Sequence, residues 1–189
     1  KTDLRNSGVP LTTIGLVAIN VIIYILATEG FKDRYCFLPH EDAGLVQIFV
    51  SFFLSAFLHA DTDHLFGNMI FLWVFGTVLE ARLGSGKLMA VYWVFIIVSK
   101  LFCLMLLFLK NGSALSGMLE GYHSLGASGA IAGLMGVFVI RCYYAKINIA
   151  VPLFFLPLGA VPISVHGTIC MAMFFAFQVV GSDQQFSMM

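Results

Sequence analysis

The stretch HSLGASGAIAGLMG, residues 123–136, places a single serine, Ser128, among glycines and alanines at the start of an apolar segment. Small residues recur along it at a spacing of four, in the pairs Gly129/Gly133 and Ala132/Gly136. Such pairs let membrane helices pack closely, because small side chains allow two backbones to approach each other. Ser128 is therefore either a packing residue or a nucleophile, and the stretch by itself favours packing.

The composition decides which solvent surrounds this serine. The chain has 189 residues, 60% of them apolar and 11% charged, with no net charge and a mean hydropathy of +0.95. Soluble domains carry about 25% charged residues, so the sequence indicates a membrane protein, and its neutral balance does not suggest a nucleic-acid partner. The scattered cysteines form no C-x-x-C pair and are interpreted as apolar packing residues: Cys36, Cys103, Cys142 and Cys170.

Runs of roughly 20 apolar residues can cross a bilayer as helices. Five such segments predict five transmembrane helices, at residues 10–28, 63–83, 88–109, 127–144 and 164–180. Between them, residues 44–60 predict an interfacial or re-entrant helix, 82–87 a tight turn, and 151–162 an interfacial loop broken by prolines. The predicted fold class is an all-α polytopic membrane protein.

The lysines and arginines predict the orientation, because they are more frequent on the cytoplasmic side. A cytoplasmic N-terminus puts six on the inner side (Lys1, Arg5, Arg82, Lys87, Arg141, Lys146) and three on the outer side (Lys32, Arg34, Lys110). We therefore expect a multi-pass protein of the plasma or inner membrane with its N-terminus in the cytoplasm. The second and fourth spans then both begin at the outer surface, so Asn68 and Ser128 lie at similar depth.

Polar residues concentrate in HADTDHLFGN, residues 59–68, where the second span begins. His64 and Asn68 are four residues apart and project from one helical face. They are either interhelical hydrogen-bond partners or donors to a reaction centre. A metal site built from His59, Asp61, Asp63 and His64 is the less favoured interpretation, because Asp61, Thr62 and Asp63 are also typical N-cap and first-turn residues of a helix.

Two further features of the spans bear on function. The glycines around Ser128 and the free N–H groups of the helix start that follows would suit an oxyanion hole, with His64 and Asn68 as further donors. Lys100 lies mid-span, where a bundle-facing or snorkelling lysine is favoured over a functional one. Glu80 and Arg82 are interpreted as structural.

Three motifs together resemble the rhomboid intramembrane serine proteases in order and spacing: HLFGN at 64–68, EARLGSGK at 80–87 and GASG at 126–129. The resemblance runs from about residue 59 to 136. It implies a single rhomboid-like domain over residues 1–189, a bundle of at least six helices enclosing a water-filled cavity open to the outside. It also implies that Ser128 is the nucleophile, that His64 and Asn68 stabilise the oxyanion, and that the enzyme cleaves transmembrane protein substrates within the lipid bilayer without cofactor or metal.

The chain departs from the family pattern at two points. Several members carry a tyrosine one helical turn after the serine, and here that residue is Ala132. The family's general-base histidine comes from a sixth span, and we expect it beyond residue 189 because the histidines present do not suit the role. His166 opens the fifth span at its cytoplasmic end, and the roughly 16 residues of the fourth span, at 1.5 Å per residue, put about 24 Å between that side and Ser128. His123 is held by nothing in its loop, and His40 and His59 lie in outer-side segments away from the serine helix.

Two other functions remain open on the sequence. The first alternative is a catalytically inactive rhomboid-like protein that binds membrane clients. The second is a small transporter or channel, in which Lys100 rather than Ser128 would control function.

Overall fold

The computed structural model describes residues 8–37, 44–111, 125–142, 146–152 and 160–187. Within these ranges the chain forms helices α1 (Leu11–Leu26), α2 (Glu29–Tyr35), α3 (Leu45–Leu54), α4 (Thr62–Leu83), α5 (Ser85–Asn111), α6 (Ser128–Cys142) and α7 (Gly167–Ser187), and strands β1 (Lys146–Pro152) and β2 (Ala160–His166). Helices lie at all five positions predicted to span the membrane, so the helical membrane fold is confirmed.

Within the described ranges, α4 and residues 85–106 of α5 are long and apolar enough to cross a membrane. A third crossing is reached if α1 and α2, which meet at an angle of 118°, count as one broken span. Shorter apolar helices occupy Leu45–Leu54, Ser128–Arg141 and Gly167–Gln178. The predicted short helix within residues 44–60 is thus present as α3, and its apolar side chains are largely exposed, as in Leu45 and Phe49.

The contacts divide the chain into two units, Lys1–Leu134 and Met135–Met189. In the first unit α1 packs against α4 and α5, α4 packs against α5, and α3 contacts α2 and α5. Its core includes Leu72 and Phe75 of α4 and Tyr92 of α5, all fully buried. The single domain expected over residues 1–189 stays a prediction.

The turn predicted at residues 82–87 is a single residue. Gly84 alone separates α4 from α5, with φ of +84°, a conformation that glycine adopts without the steric cost that Cβ imposes on other residues. Next to it, Glu80 accepts hydrogen bonds from Thr12 N, Thr13 N, Thr13 Oγ1 and Ser85 Oγ at 2.7–2.9 Å. The structural role predicted for Glu80 is therefore confirmed, whereas Arg82 Nε is buried without a hydrogen-bond partner in the described part of the chain.

The second unit corrects one prediction. Residues 151–162 were expected to form a loop, but their two ends belong to an antiparallel pair of strands in which Lys146 lies opposite His166 and Pro152 opposite Ala160. The reason is an alternation with a period of two, which places β-branched residues directly opposite each other: Ile147 and Val165, Ile149 and Ile163, Val151 and Val161. Because β2 extends to His166, α7 begins at Gly167, three residues after the predicted start of the fifth span.

Candidate active site

The start of α4 positions the first two candidate residues. Asp61 is the N-cap, and its side chain accepts a hydrogen bond from the His64 N–H at 2.7 Å. This bond satisfies one of the N–H groups that a helix start leaves without an intrahelical partner, so the predicted capping role of Asp61 is confirmed. The cap begins α4 at Thr62 and thereby places His64 and Asn68 one turn apart along the same helix.

His59 supports His64 from the preceding loop. Its ring is fully buried, lies 5.3 Å from the His64 ring in an edge-on arrangement, and places Nδ1 3.2 Å from the Phe57 carbonyl oxygen. Burial, with a smaller contribution from the nearby His64, lowers the pKa of His59 to about 4. His59 is therefore neutral at pH 7, and its Nε2 has no hydrogen-bond partner among the described residues.

Gly126 links α4 to the serine helix. Its φ is +112°, and a Cβ at this position would lie 2.9 Å from His64 Cε1 and 3.4 Å from Asn68 Nδ2. Its N–H donates to the Ser55 carbonyl oxygen at 2.8 Å. Only glycine fits both the backbone conformation and the available space. The structure thus brings the side chains of His64 and Asn68 against the residue two positions before Ser128.

The Asn68 side chain is fully buried, and neither its Oδ1 nor its Nδ2 has a hydrogen-bond partner in the ranges that the structure describes. Leaving a buried polar group unsatisfied costs about 1–3 kcal/mol. Such groups are rare in folded proteins, and each one requires an explanation. A ligand oxygen bound beside Gly126 would supply the missing acceptor for the Asn68 amide.

Ser128 is the first residue of α6, and its side chain is half-buried. The N–H groups of the first helical turn have no intrahelical acceptor. Ser128 lines a cavity of about 420 Å³ together with Ser99, Lys100, Gly126 and Ala132. The small side chain of Ala132, one turn after the serine, thus borders the same cavity.

The glycines after Ser128 do pack closely, as the first interpretation of this stretch predicts. A Cβ on Gly129 would lie 2.5 Å from Ser99 Cβ, and Gly133 packs against the ring of Phe95. At Gly136, by contrast, a Cβ would meet no described atom within 4 Å. Close packing therefore explains Gly129 and Gly133, which border the cavity as well as α5, and it does not explain Ser128.

Other histidines and acidic residues do not join this arrangement in the described ranges. Among the described residues, no histidine lines the cavity, and no group of three or more histidine, cysteine, aspartate or glutamate side chains could hold a metal ion. His166 ends β2 in the second unit, where its Nδ1 lies 2.8 Å from Thr168 Oγ1. His40 and His123, considered above as bases, lie outside the described residues.

Two elements of the site had no signal in the sequence. The Ser55 carbonyl, which holds the Gly126 N–H, lies in the turn after α3, 71 residues earlier in the chain. Ser99 borders the cavity because α5 packs against α6. A lone serine in an apolar helix and a backbone carbonyl carry no pattern that predicts such a long-range contact.

The fold and this site define a polytopic helical membrane protein with a serine at the start of an apolar helix. A histidine and an asparagine of a second helix lie against the glycine two residues before that serine. The chain belongs to the rhomboid family, because the model of the Rhomboid domain matches residues 47–188. The predicted family membership is thereby confirmed, and the chain is an integral membrane protein.

Individual relatives agree with this assignment. The chain is 33% identical to the rhomboid protease GlpG of Serratia proteamaculans over 139 residues, which cover 70% of this chain and 44% of that protein. It is 35% identical to the mitochondrial Rhomboid protein 1 of Saccharomyces cerevisiae over 136 residues, 70% of this chain and 37% of the relative. Against GlpG of Haemophilus influenzae the match is 28% identical and covers 68% and 62%. The chain thus spans less than half the length of the first two relatives.

Proposed function

We propose that this chain carries the nucleophile and the oxyanion donors of an intramembrane serine endopeptidase that cleaves transmembrane segments of membrane proteins. The observation that carries the proposal is the position of Gly126, against His64 and Asn68 and two residues before Ser128. The membership of the rhomboid family and the protease names of two relatives support it.

In the proposed reaction, Ser128 Oγ attacks a peptide carbonyl of the substrate and forms a tetrahedral intermediate. The N–H of Ser128, at the start of α6, and the side chains of His64 and Asn68 would donate to its oxyanion. These donors are held in place before the substrate arrives, because the cap at Asp61 orients the start of α4 and the Ser55 carbonyl holds Gly126. The orphan amide of Asn68 suits a donor that finds its acceptor only in the reaction.

A general base must accept the Ser128 proton and pass it to the leaving amine. In keeping with the family resemblance, we assign this role to a histidine of the family's sixth span. Among the described residues, the wall of the cavity contains Ser128 but no histidine. Water would then hydrolyse the acyl-enzyme, so that no metal or cofactor takes part.

The proposed topology places the N-terminus in the cytoplasm and Ser128 in the outer half of the plasma or inner membrane. Substrate segments with weak helical propensity near the outer surface would be favoured, because the scissile bond must unwind to reach the serine. The partners are therefore transmembrane proteins and the lipid bilayer, and not nucleic acid.

A second candidate is an inactive rhomboid-like protein that binds membrane clients. The absence of a histidine from the described wall of the cavity favours it. It differs from the protease in its chemistry, since it needs no reactive serine.

Labelling with a fluorophosphonate probe separates the two candidates. The full-length protein that contains this chain would be solubilised in detergent and compared with Ser128→Ala and with Ser99→Ala, a matched control because Ser99 is the other serine of the cavity wall. We expect labelling and cleavage of a transmembrane substrate in the parent and in Ser99→Ala. In Ser128→Ala, labelling should vanish and the cleavage rate should fall by about 10³-fold or more.

A folded parent protein that is not labelled at Ser128 and cleaves no substrate would contradict the protease and leave the client-binding protein. Labelling that persists in Ser128→Ala and vanishes in Ser99→Ala would identify Ser99 on α5 as the nucleophile instead.

A further inference from the structure

A lysine shares the cavity with the proposed nucleophile. Lys100 lies on α5, is 5% exposed and lines the same cavity as Ser128. It is the one charged residue in the cavity wall among the described residues. The proposed acyl transfer makes no use of this cation.

The packing of α5 against α6 explains why Lys100 reaches the depth of Ser128. Phe95 contacts Gly133, and Ser99 contacts Gly129. From the first contact to the second, the residue number rises by four on α5 and falls by four on α6, so the two helices run antiparallel. One residue further on, at about 1.5 Å along both axes, Lys100 on α5 is level with Ser128 on α6.

Among the described residues, no anion pairs with the Lys100 ammonium. Its Nζ lies 4.7 Å from the centre of the Phe37 ring, a cation–π contact. In the described ranges it has neither a carboxylate partner nor a hydrogen-bond acceptor, whereas Lys32 has both, in Glu29 and the Ala60 carbonyl. A buried ammonium is costly unless an anion pairs with it. A segment that enters the cavity with a carboxylate would supply that anion.

We propose that Lys100 determines specificity by binding a glutamate or aspartate side chain of the substrate within the cavity that Ser128 lines. The proposal rests on the proposed protease function and adds the chemistry of substrate recognition to it. A transmembrane segment rarely carries a carboxylate, because the charge is expensive in hydrocarbon. Pairing with Lys100 would therefore select the few transmembrane segments that carry a carboxylate. It would also fix the distance along the substrate between that carboxylate and the scissile bond.

The test uses the full-length protein in phosphatidylcholine vesicles and a series of transmembrane peptides. In each peptide one glutamate occupies a different position within a helical turn of the scissile bond, and a matched peptide carries glutamine there. At one position we expect kcat/KM for the glutamate peptide to exceed that for the glutamine peptide by about tenfold or more, as for a hydrogen bond to a charged group. This comparison needs no variant of the enzyme.

The enzyme variants then assign the preference to the lysine. Lys100→Met should reduce the glutamate-to-glutamine ratio to about one, Lys100→Arg should retain a preference, and Lys100→Glu should favour a lysine peptide at the same position. Lys87→Met is the matched control, since Lys87 is an exposed lysine at the start of the same helix, and it should leave the ratio unchanged. Fluorophosphonate labelling of Ser128 reports whether each variant is folded.

Several results would overturn the assignment. One is a glutamate-to-glutamine ratio of kcat/KM near one at every position in the parent protein. Another is an unchanged ratio in a Lys100→Met protein whose Ser128 is still labelled by the fluorophosphonate. Glu41 and Asp42 are the first carboxylates in the sequence after Phe37. A ratio that appears only after Glu41→Gln or Asp42→Asn would mean that the chain itself supplies the anion for Lys100. An effect of Lys100 that requires phosphatidylglycerol and is equal for both peptides would assign it to a lipid phosphate.

The proposed function fails separately. If the parent shows no cleavage that depends on Ser128, then the protease is wrong and the role of Lys100 in substrate selection is wrong with it. Cleavage that depends on Ser128 without any preference for a carboxylate contradicts only the role of Lys100.

Discussion

At one end of α4 the Glu80 carboxylate accepts four hydrogen bonds, whereas near the other end the Asn68 amide has no partner among the described residues. Both side chains are buried. The Glu80 bonds join α4 to the starts of α1 and α5, so this end is locked. The Asn68 side chain instead lies against Gly126, two residues before Ser128. A satisfied buried polar group indicates a structural role, whereas an amide without a partner among the described residues supports the binding role that we propose for Asn68.

The largest effect on stability should follow from Glu80→Ala. Removing the carboxylate leaves two buried donors of Thr13 and the part-buried donors of Thr12 and Ser85 without an acceptor. The free energy of unfolding should therefore fall by about 3–5 kcal/mol. Unfolding in SDS monitored by circular dichroism measures it. Asp63→Ala is the control, since Asp63 is an exposed carboxylate near the other end of the same helix. Equal midpoints for the two variants would remove the distinction between the two ends of α4.

Asn68→Ala should show the opposite behaviour. The rate of substrate cleavage should fall by about 10²–10³-fold, because one oxyanion donor is lost. The free energy of unfolding should change by less than about 1 kcal/mol, because no hydrogen bond present in the described ranges is broken. The control is Asn20→Ala on α1, whose Nδ2 donates to the Leu16 carbonyl oxygen and which should lose stability. A large loss of stability with full activity in Asn68→Ala would make this end structural too.

His59 makes the stability of the Asn68 end depend on pH. Its pKa is about 4 in the folded protein against an ordinary 6.5, so the unfolded chain binds a proton first as the pH falls. The groups facing it are His64, Asp61 and Lys32. The contribution of neutral His59 to the free energy of unfolding is fully present above about pH 6.5. Up to about 3 kcal/mol of this contribution is lost as the pH falls towards 4.

His59→Gln should flatten this pH dependence of the unfolding free energy, while His166→Gln in the second unit should preserve it. An identical pH profile for the parent and His59→Gln would show that His59 does not control acid sensitivity.

The smallest effect is expected where α1 and α4 meet near the Asn68 end. There Tyr24 Oη lies 2.9 Å from Thr62 Oγ1, in a single exposed hydrogen bond. Tyr24→Phe should cost about 0.5 kcal/mol. Thr13→Val at the Glu80 end removes a buried bond to a carboxylate and should cost clearly more in the same unfolding assay. The reverse order would contradict the view that the Glu80 end carries the stability of this helix pair.

Local patterns predicted much of the fold because they have local causes. The apolar runs gave the positions of the helices, Asp61 the start of α4, and Gly84 the turn before α5. The antiparallel pair of β1 and β2 was not predicted from the sequence, and the cause is again a local pattern. Its alternating isoleucines and valines lie in short apolar strands, and the prolines at Pro152 and Pro162 suggested a broken loop instead.

The sequence by itself determined that this is a helical membrane protein of the rhomboid family and which residues are chemically suited to a serine-centred site, because composition, period and motif are properties of the chain. Only the tertiary structure decided which of them meet. Residues 58 positions apart, Asn68 and Gly126, come together because the loop before α6 packs against α4. Lys100 borders the cavity of Ser128 because glycines let α5 approach α6. Such long-range contacts depend on helix packing, which leaves no periodic signal in the sequence.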